Sequence, residues 1–300
     1  MVSDLHLGDK APVARSAEAS WHDAQVAMLK QLCKYQQRYK CPVIIAGDLF
    51  DRPTPPPWVI NMALKHLPER CYAVPGQHDM IHMNYSDLNK TAFWTVREAG
   101  RLVLLEPGRP VEIAGAVPIR LHGFPWGVQL RPLENPHDLA IEVAVVHDYI
   151  WLGSESGYKD APEHKRLAKR FASMKGYDVA VFGDNHQHFM ADHKPLVYNC
   201  GAFQRRKSDE KNYPPMVGLL LANGKVKRKR LDVSQERWLD NAADAEAVLG
   251  GSSAEFVKEL EQLGDAALDY AEAVRRRLLS GGITTEVREV VLRCLEGVKQ

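Results

Sequence analysis

Five short segments place carboxylate, amide and imidazole side chains where apolar runs end. They are Asp4-Leu5-His6, Gly47-Asp48-Leu49-Phe50-Asp51, Gly76-Gln77-His78-Asp79, His147-Asp148 and Gly183-Asp184-Asn185-His186-Gln187-His188. A chain that gathers them must end several buried strands at one sheet edge, so the pattern constrains the fold as well as the chemistry. Gathered, they offer enough oxygen and nitrogen donors for two divalent cations, with an acid–base group to spare. Two adjacent cations clamp phosphoryl oxygens and generate hydroxide near neutral pH, which points to phosphoester hydrolysis.

The runs themselves read as strands buried on both faces: Val43-Ile44-Ile45-Ala46, Cys71-Tyr72-Ala73-Val74, Val143-Ala144-Val145-Val146 and Val179-Ala180-Val181-Phe182. Helical patterns lie between them. Apolar residues at 21, 24, 28, 32, 35 and 39 keep a 3.6-residue period over Trp21 to Tyr39, and Trp58 to Leu67 and Asn89 to Ala99 are similar. Strand–helix alternation predicts a layered α/β fold. Glycines before Asp48, Gln77 and Asp184 allow sharp turns and close approach of backbone to metal.

Beyond about Pro195 the pattern changes. Met216 to Ala222 and Lys225 to Leu231 form a hairpin across Asn223-Gly224. Helical stretches follow over 254–263, 265–279 and 285–295, so a boundary near Asp232 predicts a domain over 1–232 and a small helical appendage over 233–300. Five scattered cysteines without C-x-x-C spacing suggest reduced thiols and a cytoplasmic protein. No secretory signal and no span of roughly 18 apolar residues is visible. A net charge of +1 announces no nucleic-acid partner.

The ordered motifs, with Tyr198-Asn199-Cys200-Gly201-Ala202-Phe203 after them, resemble the calcineurin-like metallophosphoesterases. That resemblance implies two mixed β-sheets packed as a sandwich and flanked by helices. Ala46-Gly47-Asp48-Leu49-Phe50-Asp51-Arg52-Pro53-Thr54-Pro55, Gly76-Gln77-His78-Asp79 and Gly183-Asp184-Asn185-His186 look most like the SbcD-type, bacteriophage-branch nucleases of DNA repair. Position by position, the resemblance implies a first metal on Asp4, His6 and His188, a bridging Asp48, and a second metal on Gln77, His147 and His186. His78 becomes the general acid, oriented by Asp51, with a metal-bridging hydroxide as nucleophile. Mixed oxygen and imidazole donors favour manganese, with iron or zinc as substitutes, over magnesium.

Three departures stand out. Gln77 replaces the usual asparagine, Asp184-Asn185 lengthens the loop before His186 and suggests a supporting partner for the metal ligands, and only three residues precede Asp4, which leaves the first strand stunted or begun upstream. Arg205, Arg206 and Lys207 are candidates for phosphate contacts, whereas Lys225, Lys227, Arg228, Lys229 and Arg230 read as a charged edge strand. His122 reads as a hydrogen-bonded core residue, His82 as a weaker cleft candidate, and Asp148 as a cap. The expected partners are DNA and an SbcC-type ATPase docked through the C-terminal helices, with a homodimer as a further option. The rival readings are a phosphatase or phosphodiesterase for a small molecule, cyclic nucleotide or phosphoprotein, and a scaffold with a weakened metal site.

Overall fold

Ser20 opens the first long helix: its hydroxyl accepts the Asp23 N–H at 3.2 Å. Helix α1 then runs Trp21–Tyr39, as its apolar period predicts, and ends where Lys40 turns left-handed at φ 49°. Helix α2 (Pro57–His66) begins on a proline, whose missing N–H has no helical partner to lose at that position. Helix α3 (Ala92–Glu98) is shorter than the periodicity suggests. The Thr91 hydroxyl accepts from Trp94 N and fixes its start, and Tyr85–Lys90 before it wind as a tighter 3-10 turn.

In the computed structural model, which describes residues 1–239, the strands form two packed sheets and a hairpin. Strands β1 (Val43–Ala46), β2 (Cys71–Val74) and β3 (Leu102–Leu104) make a parallel three-stranded sheet. The second sheet contains β4 (Val111–Ile113), β5 (Ile119–Phe124), β6 (Ile141–His147), β7 (Val179–Gly183), β8 (Phe189–Ala191) and β9 (Leu196–Asn199). Its order is β4-β5-β6-β7-β9-β8, with β5, β6, β7 and β9 parallel and the two edge strands antiparallel. Strands β10 (Met216–Leu220) and β11 (Val226–Arg230) form the hairpin, with Gly224 at φ 77° in its turn.

Side-chain alternation divides the core into layers. Val143, Val145, Val179 and Val181 face Ile44, Ala46 and Val74 between the two sheets. Ala144, Val146, Ala180 and Phe182 point the other way, onto Leu130, Ile150, Leu167 and Met174. Val26, Leu29, Leu32, Val59 and Phe93 from the three helices cover the outer face of the small sheet. The result is the mixed α/β arrangement of flanked sheets that the motif order implies.

The first motif is better held than its short lead suggests. Residues 2–7 run parallel to β1 and the turn after it: Val2 N donates to Ile44 O at 2.9 Å, Asp4 N to Gly47 O at 3.0 Å and His6 N to Asp48 O at 3.0 Å. Ser3 bridges Ala202 on the other side. Backbone pairing on both flanks therefore fixes Asp4 and His6.

The first compact unit continues to Trp238, because Val233 packs on the core and Glu236 pairs with Arg205. The remainder, 239–300, forms a second unit, and the expected helices over 254–263, 265–279 and 285–295 lie outside the described residues. Among the described residues no helix is long and apolar enough to cross a membrane.

Leu29, fully buried beneath α1, is the direct check on this layering. Leu29→Ala should cost roughly 2–5 kcal/mol by urea denaturation, whereas the neighbouring exposed Lys30→Ala should cost less than about 0.5 kcal/mol.

Candidate metal centre

Strands β1, β2, β6 and β7 all end at one edge, and their last residues lead straight into Asp48, Gln77, His147 and Asp184. Glycine makes the convergence sterically possible. A Cβ on Gly47 would stand 1.9 Å from His147 Nδ1, and one on Gly76 would stand 2.1 Å from Asp48 Oδ1. The backbone is strained at the same places. Asp4 (φ 53°), His6 (φ 43°), Asp48 (φ 51°) and Asp184 (φ 81°) all occupy the left-handed region, a costly choice for residues with a Cβ that functional sites concentrate.

Asp4, His6 and His186 form a first cluster, with one ligand atom from each within 4.8 Å of the others. His6 Nε2 lies 3.9 Å from Asp4 Oδ1 and 3.7 Å from Asp48 Oδ2, and His186 Nε2 lies 3.9 Å from Asp4 Oδ1. His186 is aimed by Glu210, whose Oε1 accepts its Nδ1–H at 3.0 Å. Glu210 Oε2 accepts the N–H groups of Arg206 (2.6 Å) and Lys207 (3.0 Å), which fixes the carboxylate in turn. A carboxylate behind an imidazole in this way sets the tautomer and leaves Nε2 free to bind.

Asp48 and His147, again with Asp4, form a second cluster beside it, and Gln77 adjoins His147 and carries Asp184. His147 Nδ1 donates to Ala46 O at 2.6 Å, so Nε2 faces the cluster, 3.4 Å from Asp48 Oδ2 and 2.8 Å from Gln77 Oε1. The extra methylene of Gln77 is absorbed by a 3-10 turn over Gln77–Asp79, and its Nε2 donates to Asp184 Oδ1 at 2.7 Å. Burial opposes a charge on His147, but the Asp48 carboxylate overcomes it and raises the imidazole to about 10. Burial, aided by the neighbouring Asp48 carboxylate and opposed by His186 and His147, pushes Asp4 up to about 6. These groups need positive charge among them, from a proton or a cation.

Several sequence expectations land elsewhere. His188 was expected on the first metal and His186 on the second; instead His186 stands with Asp4 and His6, and Asp184 beside Gln77. The left-handed turn at Asp184 brings His186 inward, and two residues later His188 sits at the entry to β8, its ring 5.3 Å from that of Tyr213. The carboxylate of Asp51 does not orient His78. His78 Nδ1 meets the backbone oxygen of Asp51 at 2.9 Å, while the Asp51 carboxylate pairs with Arg206. Arg205 turns away from the cleft, buried against Glu236 and Trp238; Arg206 and Lys207 line it. His122 is held by Glu142 at 2.6 Å, and Asp148 pairs with Lys165 and Arg170 rather than capping a helix.

Sequence reasoning passed over two organising carboxylates. Asp79 is fully buried and accepts N–H groups from Leu49 (3.1 Å), Phe50 (2.9 Å) and Gly76 (3.0 Å), tying the Asp48 turn to the Gln77 turn. Its place in Gly-Gln-His-Asp was the available signal. Glu210 gave none, since it lies 24 residues after His186 in a stretch without a motif.

The residues fit divalent cations. Both ring nitrogens of His6 are buried without a hydrogen-bond partner. The His6 and His186 spacings of 3.7–3.9 Å to Asp4 and Asp48 exceed hydrogen-bond reach and lie a little beyond the roughly 3.0–3.4 Å between donors sharing one ion. Six carboxylate residues (Asp48, Asp51, Glu155, Asp184, Asp209, Glu210) line a cleft of about 830 Å³ against the two cations of Arg206 and Lys207. Without bound metal such a cleft repels phosphate.

Manganese titration should find two ions in the native chain. Asp184→Ala should weaken one of them about 10–100-fold, while His188→Ala should leave both; the opposite ranking would restore the register expected from sequence. Gly76→Ala should lose metal yet keep its circular dichroism spectrum, because its Cβ displaces Asp48.

A model of the calcineurin-like phosphoesterase family matches residues 1–188. No curated protein sequence matches. A putative 5'-nucleotidase from Staphylococcus aureus is 14% identical over 83% of this chain with TM-score 0.46, and this chain spans just 57% of its length. The calcineurin-like phosphoesterase YfkN from Bacillus subtilis is 11% identical, covering 86% of this chain and 97% of its own, with TM-score 0.46. The phosphopantetheinyl hydrolase of Mycobacterium tuberculosis is 13% identical, covering 71% and 96%, with TM-score 0.38. The family match takes in more than half the chain and spans every segment that builds the two clusters: this protein belongs to the calcineurin-like phosphoesterases, a family of metal-dependent hydrolases.

Proposed function

We propose that the chain is a two-metal phosphodiesterase acting on DNA, with manganese as the resident ion and iron or zinc as substitutes. The observation that carries the hydrolase reading is the convergence of Asp4, His6 and His186 with Asp48 and His147 around two adjoining positions. These residues would hold two divalent cations, which would supply Lewis-acid polarisation of the phosphoryl oxygens and a hydroxide source near neutral pH.

The remaining roles fall to the protein. Asp48, which reaches both clusters, sets the separation of the two positions. The backbone N–H of His78 donates to Asp48 Oδ1 at 2.9 Å, so the carboxylate that reaches both clusters also fixes the His78 backbone. The His78 imidazole is exposed in the cleft and anchored through Nδ1 to the Asp51 carbonyl. That leaves Nε2 to protonate the departing alkoxide. Arg206 and Lys207 receive the flanking phosphate, with Asp51 holding the Arg206 guanidinium in place.

The DNA reading draws on the sequence context Ala46–Pro55, which looks like that of SbcD-type nucleases, and on Arg206 and Lys207 at the cleft. It also brings an SbcC-type ATPase as the proposed partner, docked through the segment beyond residue 239. One observation favours the rival small-ester reading. With Arg205 buried, the basic rim shrinks to two residues beside Glu155 and Asp209, a small footprint for a polynucleotide.

The two readings separate on three substrates with manganese: linear DNA, bis-p-nitrophenyl phosphate and p-nitrophenyl phosphate. The DNA reading expects salt-sensitive digestion of DNA and hydrolysis of the bis-ester well above the monoester. Preferred hydrolysis of the monoester, with DNA untouched, would overturn it. His78→Ala should lower kcat on DNA by about 10²–10⁴ while both manganese ions remain bound.

A further inference from the structure

The cleft that holds both clusters also carries two tyrosines that metal binding leaves unused. Tyr149 and Tyr158 line it with their rings 5.1 Å apart at 53°. Tyr158 is 58% exposed, so a large aromatic surface stands in water with, among the described residues, only the Tyr149 ring beside it. A loose loop does not account for that exposure. Tyr158 N donates to the Tyr149 hydroxyl at 3.3 Å, and the Ser156 hydroxyl accepts from Leu152 N (2.9 Å) and Gly153 N (3.1 Å). The Asn185 amide donates at 2.7 Å to both Ile150 O and Ser156 O. Asn185 lies between Asp184 and His186, so the brace that orders the loop also ties the two rings to the metal-site turn.

We propose that Tyr149 and Tyr158 form a stacking site for one unpaired nucleobase adjoining the phosphate held at the metal centre, an inference that rests on the phosphodiesterase reading above. A base covers the exposed ring and removes apolar surface from water, and every base offers a π face, so the site tolerates sequence. A base inside a duplex is already stacked and paired. The site therefore selects single-stranded segments, frayed ends and nucleotides, where a base can be splayed out. Polarity fits as well: Arg206 and Lys207 supply charge for phosphate, while Tyr149 and Tyr158 are the only Phe, Tyr or Trp rings among the described residues lining this cleft.

The test compares adenosine 5'-monophosphate with ribose 5-phosphate, which differ only in the base, by calorimetric titration of the manganese-loaded protein. The native chain should bind the nucleotide roughly tenfold tighter, within the range of about 5- to 150-fold for one stacked base. Tyr158→Ala should bring the ratio of affinities near one, and Tyr158→Phe should keep it. Tyr158→Leu, which keeps bulk without a π face, reads the same loss if the alanine variant misfolds. Equal affinities in the native chain, or a preference that survives both Tyr158→Ala and Tyr158→Leu, would overturn the stacking site while leaving hydrolysis of bis-p-nitrophenyl phosphate intact. Binding of neither ligand, with manganese bound and the bis-ester untouched, would overturn the phosphodiesterase reading and the stacking site together.

Discussion

Asp4 and Asp48 are buried almost completely, and among the described residues their ion pairs are all with histidines. Among the described residues neither carboxylate forms an ion pair with a lysine or arginine that would balance its charge. Burying two carboxylates this way is expensive in a low-dielectric interior. The surrounding geometry answers that problem by leaving the His6 and His186 imidazoles 3.7–3.9 Å from the two carboxylates, beyond hydrogen-bond reach and close to the spacing that shared cations need.

Most of the local peculiarities follow from that arrangement. Gly47 and Gly76 lack side chains because His147 and Asp48 occupy the space. Four site residues accept left-handed backbone, a strain that the parallel strands and the pairing of residues 2–7 with the β1 turn hold in place. Asp79 and Glu210 touch neither cluster's centre, yet each fixes what does: Asp79 the turns that carry Asp48 and Gln77, Glu210 the imidazole of His186. Rigid strand ends and carboxylate-braced turns are what a site that must hold two like charges at a set distance requires.

Legibility in the sequence tracked how local each signal is. The strands Val43–Ala46, Cys71–Val74, Val143–Val146 and Val179–Phe182 and the helix Trp21–Tyr39 were readable, because continuous apolar runs and 3.6-residue periods depend on nearby residues alone. The edge strands β4 and β8 were not, being three residues long and defined by partners distant in sequence. The site divided similarly. Asp4, His6, Asp48 and His147 could be read from strand ends, whereas the ranking of Asp184, His186 and His188 depended on a left-handed turn that residue identity does not announce. Glu210 and the burial of Arg205 arise wholly from tertiary contacts.

The central claim is that Asp48 stands between two cations. Anomalous diffraction at the manganese edge, from crystals grown with the metal, tests it most directly. The account predicts two peaks about 3.5–4 Å apart, one beside Asp4, His6 and His186 and the other beside Gln77, His147 and Asp184, with the Asp48 carboxylate touching both. A single peak, or a second peak bound by His188 with Asp184 turned away, would contradict it.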